Sequence, residues 1–443
     1  MKNKYIKLLG LLLIVSACST DLDQSPPNIA NADSLTDFEG VLNAAYYYQL
    51  GTVTPMAVMG EFRSDNAFMF EEPYTEFDEY DNGLTTMEDQ FFLPFYKASF
   101  KSILSANNVI INSTSNDDIA EAKFLRALSY FKLVQVFGDV PVNLSDAPSF
   151  NDPSIYERQP KTTIYNDVII PDLTAAIAAL DNSNLSRASK IASQALLGKV
   201  YAAMGNYTLA EPILATVLSS AAGAGVSLKT NFSEVVGAAN EGNSEIIYAT
   251  RITGSITDEY TYASDFWNWF VGDDSKSDYP VDQDLVAAFD ASDANGGGTD
   301  LRREFTLSAD GKTAVKYPKT GGLGTEHDWI DIRLADIILL HAEAANANGA
   351  AASTVLPLLD PIRTRAGLTS LTGTVTSQAD VAQAIANERR LELAFEGHRW
   401  FDLVRTGMAQ SELGFSDANY LVFPIPVSEI LVTNGVITQN AGY

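Results

Sequence analysis

Apolar residues returning at three- and four-residue intervals restrict this chain more than any other feature. Between residues 121 and 137, Phe124, Ala127, Leu128, Phe131 and Val134 fall on one helical face. Gly138 follows, with Pro141 just beyond, which is how a helix end is commonly written. Residues 189–204 and 208–219 read as two helices joined by Gly205-Asn206-Tyr207. Residues 330–346 predict a third long helix, and residues 378–406 a fourth, free of proline and closed by Gly407. Leu197, Gly198, Tyr201, Gly205 and Ala210 have the offsets of the tetratricopeptide pattern, in which small residues let two antiparallel helices pack closely. Ala127 and Tyr130 begin a similar unit whose second helix comes only after residues 145–161, and the helices near Ile330 and Gln378 fit the pattern loosely. The expectation is a mainly α fold built on a tetratricopeptide-like helical scaffold, with its helices mainly in 90–220 and 330–407 and little β structure.

Long stretches of weaker pattern separate these helices. Residues 51–90 are rich in aromatics and acids, and residues 260–319 carry Trp267, Trp269, Gly296-Gly297-Gly298 and many aspartates. Loops this long inside a compact domain are usually functional or disordered. No low-complexity linker divides the chain, so residues 33–443 are expected to form one domain with a loop-rich insertion at about 255–325.

The N-terminus points to export. Lys2, Lys4 and Lys7 form a basic head before an apolar stretch from Leu8 to Val15. That stretch is too short for a bilayer, which needs about 20 apolar residues, and it matches the hydrophobic region of an export signal. It runs through Val15-Ser16-Ala17 into Cys18, the only cysteine. A lone thiol makes no internal disulfide and is a liability in an oxidising space. Diacylation after cleavage removes both problems, and the segment resembles the lipobox of bacterial lipoproteins. The expected division is a cleaved signal at 1–17, and a lipidated Cys18 with a polar tether to about residue 32. Cleavage takes the formal charge from −27 to −30. A surface that negative repels phosphate backbones, which argues against nucleic acid as a partner.

Several segments together resemble the SusD/RagB family of surface glycan-binding lipoproteins. Cys18 with Asp21, Asp23 and Pro26 is similar to the family's opening, Ala44-Ala45-Tyr46 to its first helix, and Arg63-Ser64-Asp65-Asn66 to the loop after it. The run Glu121-Ala122-Lys123-Phe124-Leu125-Arg126-Ala127, continued by Tyr130-Phe131 and Phe137-Gly138-Asp139-Val140-Pro141, resembles a family signature. So do Arg333-Leu334-Ala335-Asp336 with Ala342-Glu343-Ala344, Ile362-Arg363-Thr364-Arg365-Ala366-Gly367, and Glu388 through Trp400. Phe423-Pro424-Ile425-Pro426 and the final Gln439-Asn440-Ala441-Gly442-Tyr443 match its ending, except that Ala441 stands where proline is usual. The resemblance is collinear over the mature chain, which is short for the family. It implies a helical fold with four tetratricopeptide-like units, ligand-binding loops opposite them, and a SusC-like TonB-dependent barrel as partner, on which the protein sits as a lid.

Glu388, Glu392 and Glu396 recur every four residues, and paired carboxyl groups serve glycoside hydrolysis. Arg389, Arg399 and Arg405 stand three residues from Glu392, Glu396 and Asp402, a spacing that favours ion pairs and lowers carboxylate pKa, whereas a general acid needs the opposite. His327, His341 and His398 lack zinc-ligand spacing, and no metal or other cofactor is expected. Residues 291–302 imitate a calcium loop but carry Ala291 and Arg302 where Asp and Glu are needed, leaving only an isolated calcium ion on carbonyls and Asp300 as an open reading. No Gly-x-Ser-x-Gly elbow occurs, and Gly321-Gly322-Leu323-Gly324 lacks the lysine of a phosphate loop.

Aromatics remain. Phe266-Trp267-Asn268-Trp269-Phe270 lies between Tyr260 and Tyr262 and the acids Asp273 and Asp274. An indole platform with convergent polar groups holds an uncharged polar ligand, but alternating Trp267 and Trp269 equally suit a strand packed on the scaffold. Trp329 is read as starting a helix on the loop side, and Trp400 as core. The resemblance implies a ligand loop at Asp65, Asn66 and Tyr74, beside Phe68 and Phe70, with Arg63 pinning it. The candidate ligand set is therefore Asp65, Asn66, Tyr74, Trp267, Asn268, Trp269 and Trp329. The expected function is capture of a nutrient, chiefly an oligo- or polysaccharide, for the barrel, with no chemistry on it. The rival readings are peptide capture, a tetratricopeptide interaction scaffold and a glycoside hydrolase.

Overall fold

The computed structural model describes residues 37–149, 151–252, 266–272, 275–318 and 327–443. The signal, Cys18, the tether, Tyr260, Tyr262, Asp273, Asp274 and the Gly321–Gly324 turn lie outside them. Phe38–Tyr443 forms one unit, and no helix among the described residues is long and apolar enough to cross a membrane.

Helices open the fold. α1 (Phe38–Gln49) and α2 (Val53–Phe62) are followed, after an aromatic loop, by α3 (Leu93–Asn112) and α4 (Asn116–Phe137). The Ser115 hydroxyl accepts from Asp118 N–H at 3.2 Å at the start of α4, and Gly138 ends it at φ 72°. α3 packs on α4, and α4 on α5 (Ile170–Ala179). There Arg126 grips Asp172 with two buried hydrogen bonds of 2.7 and 2.8 Å, so the late second helix of that unit is α5. α6 (Lys190–Ala203) and α7 (Tyr207–Ser220) form the expected pair. A Cβ on Gly198 would stand 2.4 Å from a Leu214 methyl, so the glycine is what lets these helices touch.

The insertion carries α8 (Gln283–Asn295) and leads into α9 (Leu334–Ala347), α10 (Ala352–Arg365), α11 (Gln378–Leu393) and α12 (Arg399–Arg405). α9 packs against α7, α10 and α11, continuing the pairwise stacking of helices. Described strand is sparse. β1 (Val140–Pro141) pairs with β2 (Arg158–Gln159), and β3 (Ile246–Thr250) runs antiparallel to β4 (Trp329–Arg333). The fold is mainly α, as expected.

Two boundaries are corrected. The predicted helix from Ile330 starts only at Leu334, because Trp329–Arg333 is β4. β-Branched Ile330 and Ile332 suit a buried strand, and a partner in β3, far away in sequence, overrides the helical spacing. The predicted helix 378–406 is two helices with a bend between them. Phe395 and Gly397 take φ of 62° and 72° there. Trp329 lies 2.9 Å from where a Gly397 Cβ would be, and the Gly397 carbonyl lies 2.4 Å from where a Gly60 Cβ would be. The bend therefore exists because two backbones and an indole converge.

That bend decides the charged run. Of the expected local pairs only Arg405–Asp402 forms, at 2.8 Å. Arg389 turns to Asp336 and Asp402, and Arg399 to Asp65. Glu388, Glu392 and Glu396 instead join a buried junction between the insertion and the scaffold. Arg333 donates to Glu245, Glu392 and Glu396 at 2.7 to 2.8 Å, Arg302 reaches Glu388 at 2.6 Å, and Lys316 reaches Glu396 at 2.5 Å. Arg365 completes it on Glu245 and Glu392.

Candidate ligand-binding face

Two loops far apart in sequence are zipped together. Ala67 bridges Val281 antiparallel, Phe68 N–H donates to Pro280 O at 3.0 Å, and Asp282 N–H donates to Asn66 O at 3.0 Å. Val281 N–H in turn bonds Lys312 O at 3.1 Å, tying the pair to the insertion. Below them Arg63, fully buried, donates to Glu76 O and Phe77 O at 3.2 and 2.7 Å and stacks under Tyr80 at 4.2 Å. This is the pinning role read from sequence.

The candidate residues fall into three groups. Tyr74 and Trp269 meet, edge to face at 5.5 Å, with Phe91 5.3 Å from Trp269. Tyr74 is half-buried, and its hydroxyl accepts from exposed Gln90 at 3.0 Å. Asn268, half-buried beside them, accepts Lys276 N–H on its backbone carbonyl at 2.8 Å. The exposed Lys276 ammonium lies 5.1 Å over the Trp269 ring.

The second group is packed. Trp267 and Trp269 are only 8 % and 3 % exposed, and Trp329 4 %. These rings are turned into the core, so the packing alternative describes the tryptophan pair better than an open platform. Trp329 belongs to β4 and abuts Phe266 at 5.1 Å and the Gly397 bend. Trp400 is fully buried, as read.

The third group is spent on ion pairs. Asp65 takes Arg399 through both oxygens at 2.7 and 2.8 Å and Arg390 at 3.1 Å. Burial would raise its carboxyl, but these hydrogen bonds and charges hold it below the usual range. Asn66 donates to Glu61 at 2.9 Å and accepts from Arg390 at 3.0 Å. Both residues fix the loop to α11 and α12 instead of presenting free donors to a sugar.

What faces solvent at the zip is a different pair. Phe70, edge-on to Phe68 at 4.4 Å, is 59 % exposed, and Tyr279 is 51 % exposed with the Lys312 ammonium 4.5 Å from its ring. Phe70 was visible in sequence as a loop aromatic. Tyr279 was not, because its position depends on a left-handed backbone, φ 54°, that no spacing encodes. The face offers two rings, two ammonium groups and an amide.

The carboxylates that the charged run offered for acid chemistry are shifted the wrong way for it. Burial would raise Glu396, but Arg333 and Lys316 override it and hold it at about 2. Glu392 is likewise depressed against its burial by Arg365, Arg333 and Arg302. Asp300 gives both oxygens to Arg302, at 2.7 to 3.1 Å, and one also to Ser292, which leaves the calcium reading without support from that residue. Among the described residues no three His, Cys, Asp or Glu side chains are placed to hold a metal.

Comparison with known proteins agrees with this architecture. Residues 308–419 match the SusD family, and residues 21–202 match a family described as starch-binding, associating with outer membrane. The chain belongs to the SusD/RagB family. It is similar to a SusD-like protein of Formosa agariphila, 26 % identical with all of both chains covered. It is also similar to the starch-binding protein SusD of Bacteroides thetaiotaomicron, 27 % identical over 73 % of this chain and 72 % of the relative. Among solved structures, a laminarin-binding SusD-like protein superposes with a TM-score of 0.73 at 25 % identity, covering 92 % of this chain and 99 % of that one. As a SusD-like chain it belongs with binding proteins associated with the outer membrane.

Proposed function

We propose that this SusD-like protein is a lipid-anchored, surface-exposed lipoprotein that captures an oligo- or polysaccharide and delivers it to a SusC-like TonB-dependent barrel. The carrying observation is the zipped face, whose loops, locked to the scaffold, expose Phe70 and Tyr279, with Lys312 at the Tyr279 ring, Lys276 at Trp269 and Gln90 at Tyr74. Pyranose C–H faces stack on such rings, and the ammonium and amide groups donate to hydroxyls. Starch and laminarin, the ligands for which two of its relatives are named, are of that class. No bond is made or broken in capture. The export signal and Cys18 support the anchor, and two or more acyl chains hold a protein stably at a membrane.

The test is calorimetry against starch and laminarin oligosaccharides and other neutral glycans, comparing native protein with Phe70→Ala plus Tyr279→Ala. Affinity lost at least tenfold in a folded double variant supports the reading, and unchanged affinity refutes this face. An interaction scaffold is the second reading. It is favoured by a groove of about 710 Å³ between α7, α9, α11 and α12, floored by Ala379, Ala382 and Ala386. Silence toward every glycan, with binding of a barrel-derived peptide in that groove, would favour it.

A further inference from the structure

A second cleft lies apart from the zipped face. Asn43, Tyr46 and Tyr47 recur at three- and four-residue spacing, so α1 turns them to one side. The loop before α6 brings Ser186 and Arg187, and the end of β3 brings Tyr248 and Arg251. Together they enclose about 290 Å³, near the lower end of small-ligand sites. A neighbouring hollow of about 170 Å³ shares Ser186, Ala249 and Arg251.

Both arginines are held by one edge. Arg187 stacks over Tyr46 with its guanidinium carbon 4.5 Å from the ring centre, and donates through Nε to Glu121 at 2.7 Å and through Nη1 to Asn43 at 2.8 Å. Tyr46 donates to the same Glu121 oxygen at 2.6 Å and accepts Ala188 N–H at 2.8 Å, so ring and guanidinium are fixed as a unit. Arg251 pairs through Nε with buried Asp328 at 2.5 Å, and the other oxygen of Asp328 is occupied by Ile252 N–H at 2.9 Å. The Arg251 side chain is 49 % exposed. Among the described contacts, Nη2 of Arg187 and both terminal nitrogens of Arg251 have no partner.

Unspent guanidinium edges match a planar or tetrahedral oxyanion, and a carboxylate behind each arginine fixes its direction without using those donors. Tyr46 and Tyr47 supply ring faces, and Ser186 supplies a hydroxyl. The surface as a whole is acidic, with a formal charge of −27, and Glu39 also acts on Arg187. Long-range attraction therefore does not bring an anion here, and only one that reaches both guanidinium groups at contact gains.

We infer that this cleft is a second carbohydrate site, selective for a sugar bearing an oxyanion, either a carboxylate or a sulfate. It rests on the glycan reading above for the class of ligand and on none of the residues of the zipped face. The experiment titrates the purified full-length protein with tri-galacturonate, a sulfated galactose trisaccharide and neutral galactotriose. Native protein is compared with Arg251→Gln, Arg187→Gln and the Phe70→Ala plus Tyr279→Ala pair. At least one anionic probe should bind more tightly than galactotriose. Arg251→Gln should weaken it tenfold or more, and the aromatic pair should leave it unchanged. Which anionic probe binds identifies the oxyanion. Arg187→Gln also strips Glu121 of its cationic partner, so Arg251→Gln, at an exposed position, carries the decision. Anionic probes no tighter than galactotriose, or indifferent to Arg251→Gln, overturn the inference. Starch and laminarin binding to the aromatic face would survive that failure, which separates it from failure of the glycan reading itself.

Discussion

The buried junction and the zipped aromatic face spend similar residue types in opposite ways. In the junction Arg302, Lys316, Arg333 and Arg365 meet Glu245, Glu388, Glu392 and Glu396 out of water, with every charge answered. On the face, Lys276 and Lys312 lie over aromatic rings with their ammonium groups still turned to solvent. Buried charges must be paired or they cost several kcal/mol each, so the junction is rigid and committed. Exposed cations over rings gain only about 0.5–1 kcal/mol there and lie at the surface, where a ligand can reach them. The asymmetry separates the part that holds the loops from the part that can recognise something.

The sharpest way to break that contrast is to remove one junction partner. Arg333→Met takes one cation away from Glu245, Glu392 and Glu396 at once, and urea unfolding should register a loss of about 3–5 kcal/mol. A loss below about 1 kcal/mol would mean the junction is not the clamp described.

Acid titration probes the same clamp. Glu396, held at about 2, has a folded pKa below its unfolded value, and its contribution is present above about pH 4.5 and lost as pH falls through about 2. Glu392 acts in the same direction. Glu61 has the opposite sign. Burial raises it to about 7 despite hydrogen bonds from Asn66 and Gly397, so its contribution is full below about pH 4.5 and gone above about 7. Thermal melts should therefore fall toward pH 2, and Arg333→Met, which frees Glu396, should show a shallower acid limb. An identical acid limb in both proteins would refute the assignment.

Smaller effects sharpen the boundary between the regions. Gly397→Ala places a methyl against Trp329 in a left-handed backbone and should cost about 1–3 kcal/mol in chemical denaturation. Phe70→Ala plus Tyr279→Ala should cost about 0.5 kcal/mol or less in stability per site while weakening neutral glycan tenfold or more by calorimetry. If these exposed substitutions unfold the protein, the two regions are not separable as argued.

Much of the scaffold was legible. Caps, periodicity and Gly198 all act within a few residues or one helix pair, and α4, α6 and α7 lie close to where the spacing put them. The candidate site was legible only as an address. The loops at 65–74 and 266–270 were singled out and do meet at Tyr74 and Trp269. Their side chains were misjudged because exposure belongs to the packed molecule. Trp267 and Trp269 are core, Asp65 is claimed by Arg399, and Tyr279 reaches solvent through a backbone no periodicity reveals.

The charged run from Glu388 states the division most plainly. Its composition already required that the carboxylates be paired, since so many charges in a core-forming helix are otherwise too costly. The sequence alone therefore determined a helical scaffold and glutamates committed to ion pairs. Which arginine answers which glutamate, where the helix bends and which rings stay wet were decided only by tertiary structure. Those outcomes depend on β4, the Gly60–Gly397 contact and the Ala67–Val281 bridge, contacts between residues from about 80 to more than 300 positions apart whose desolvation no local spacing can set.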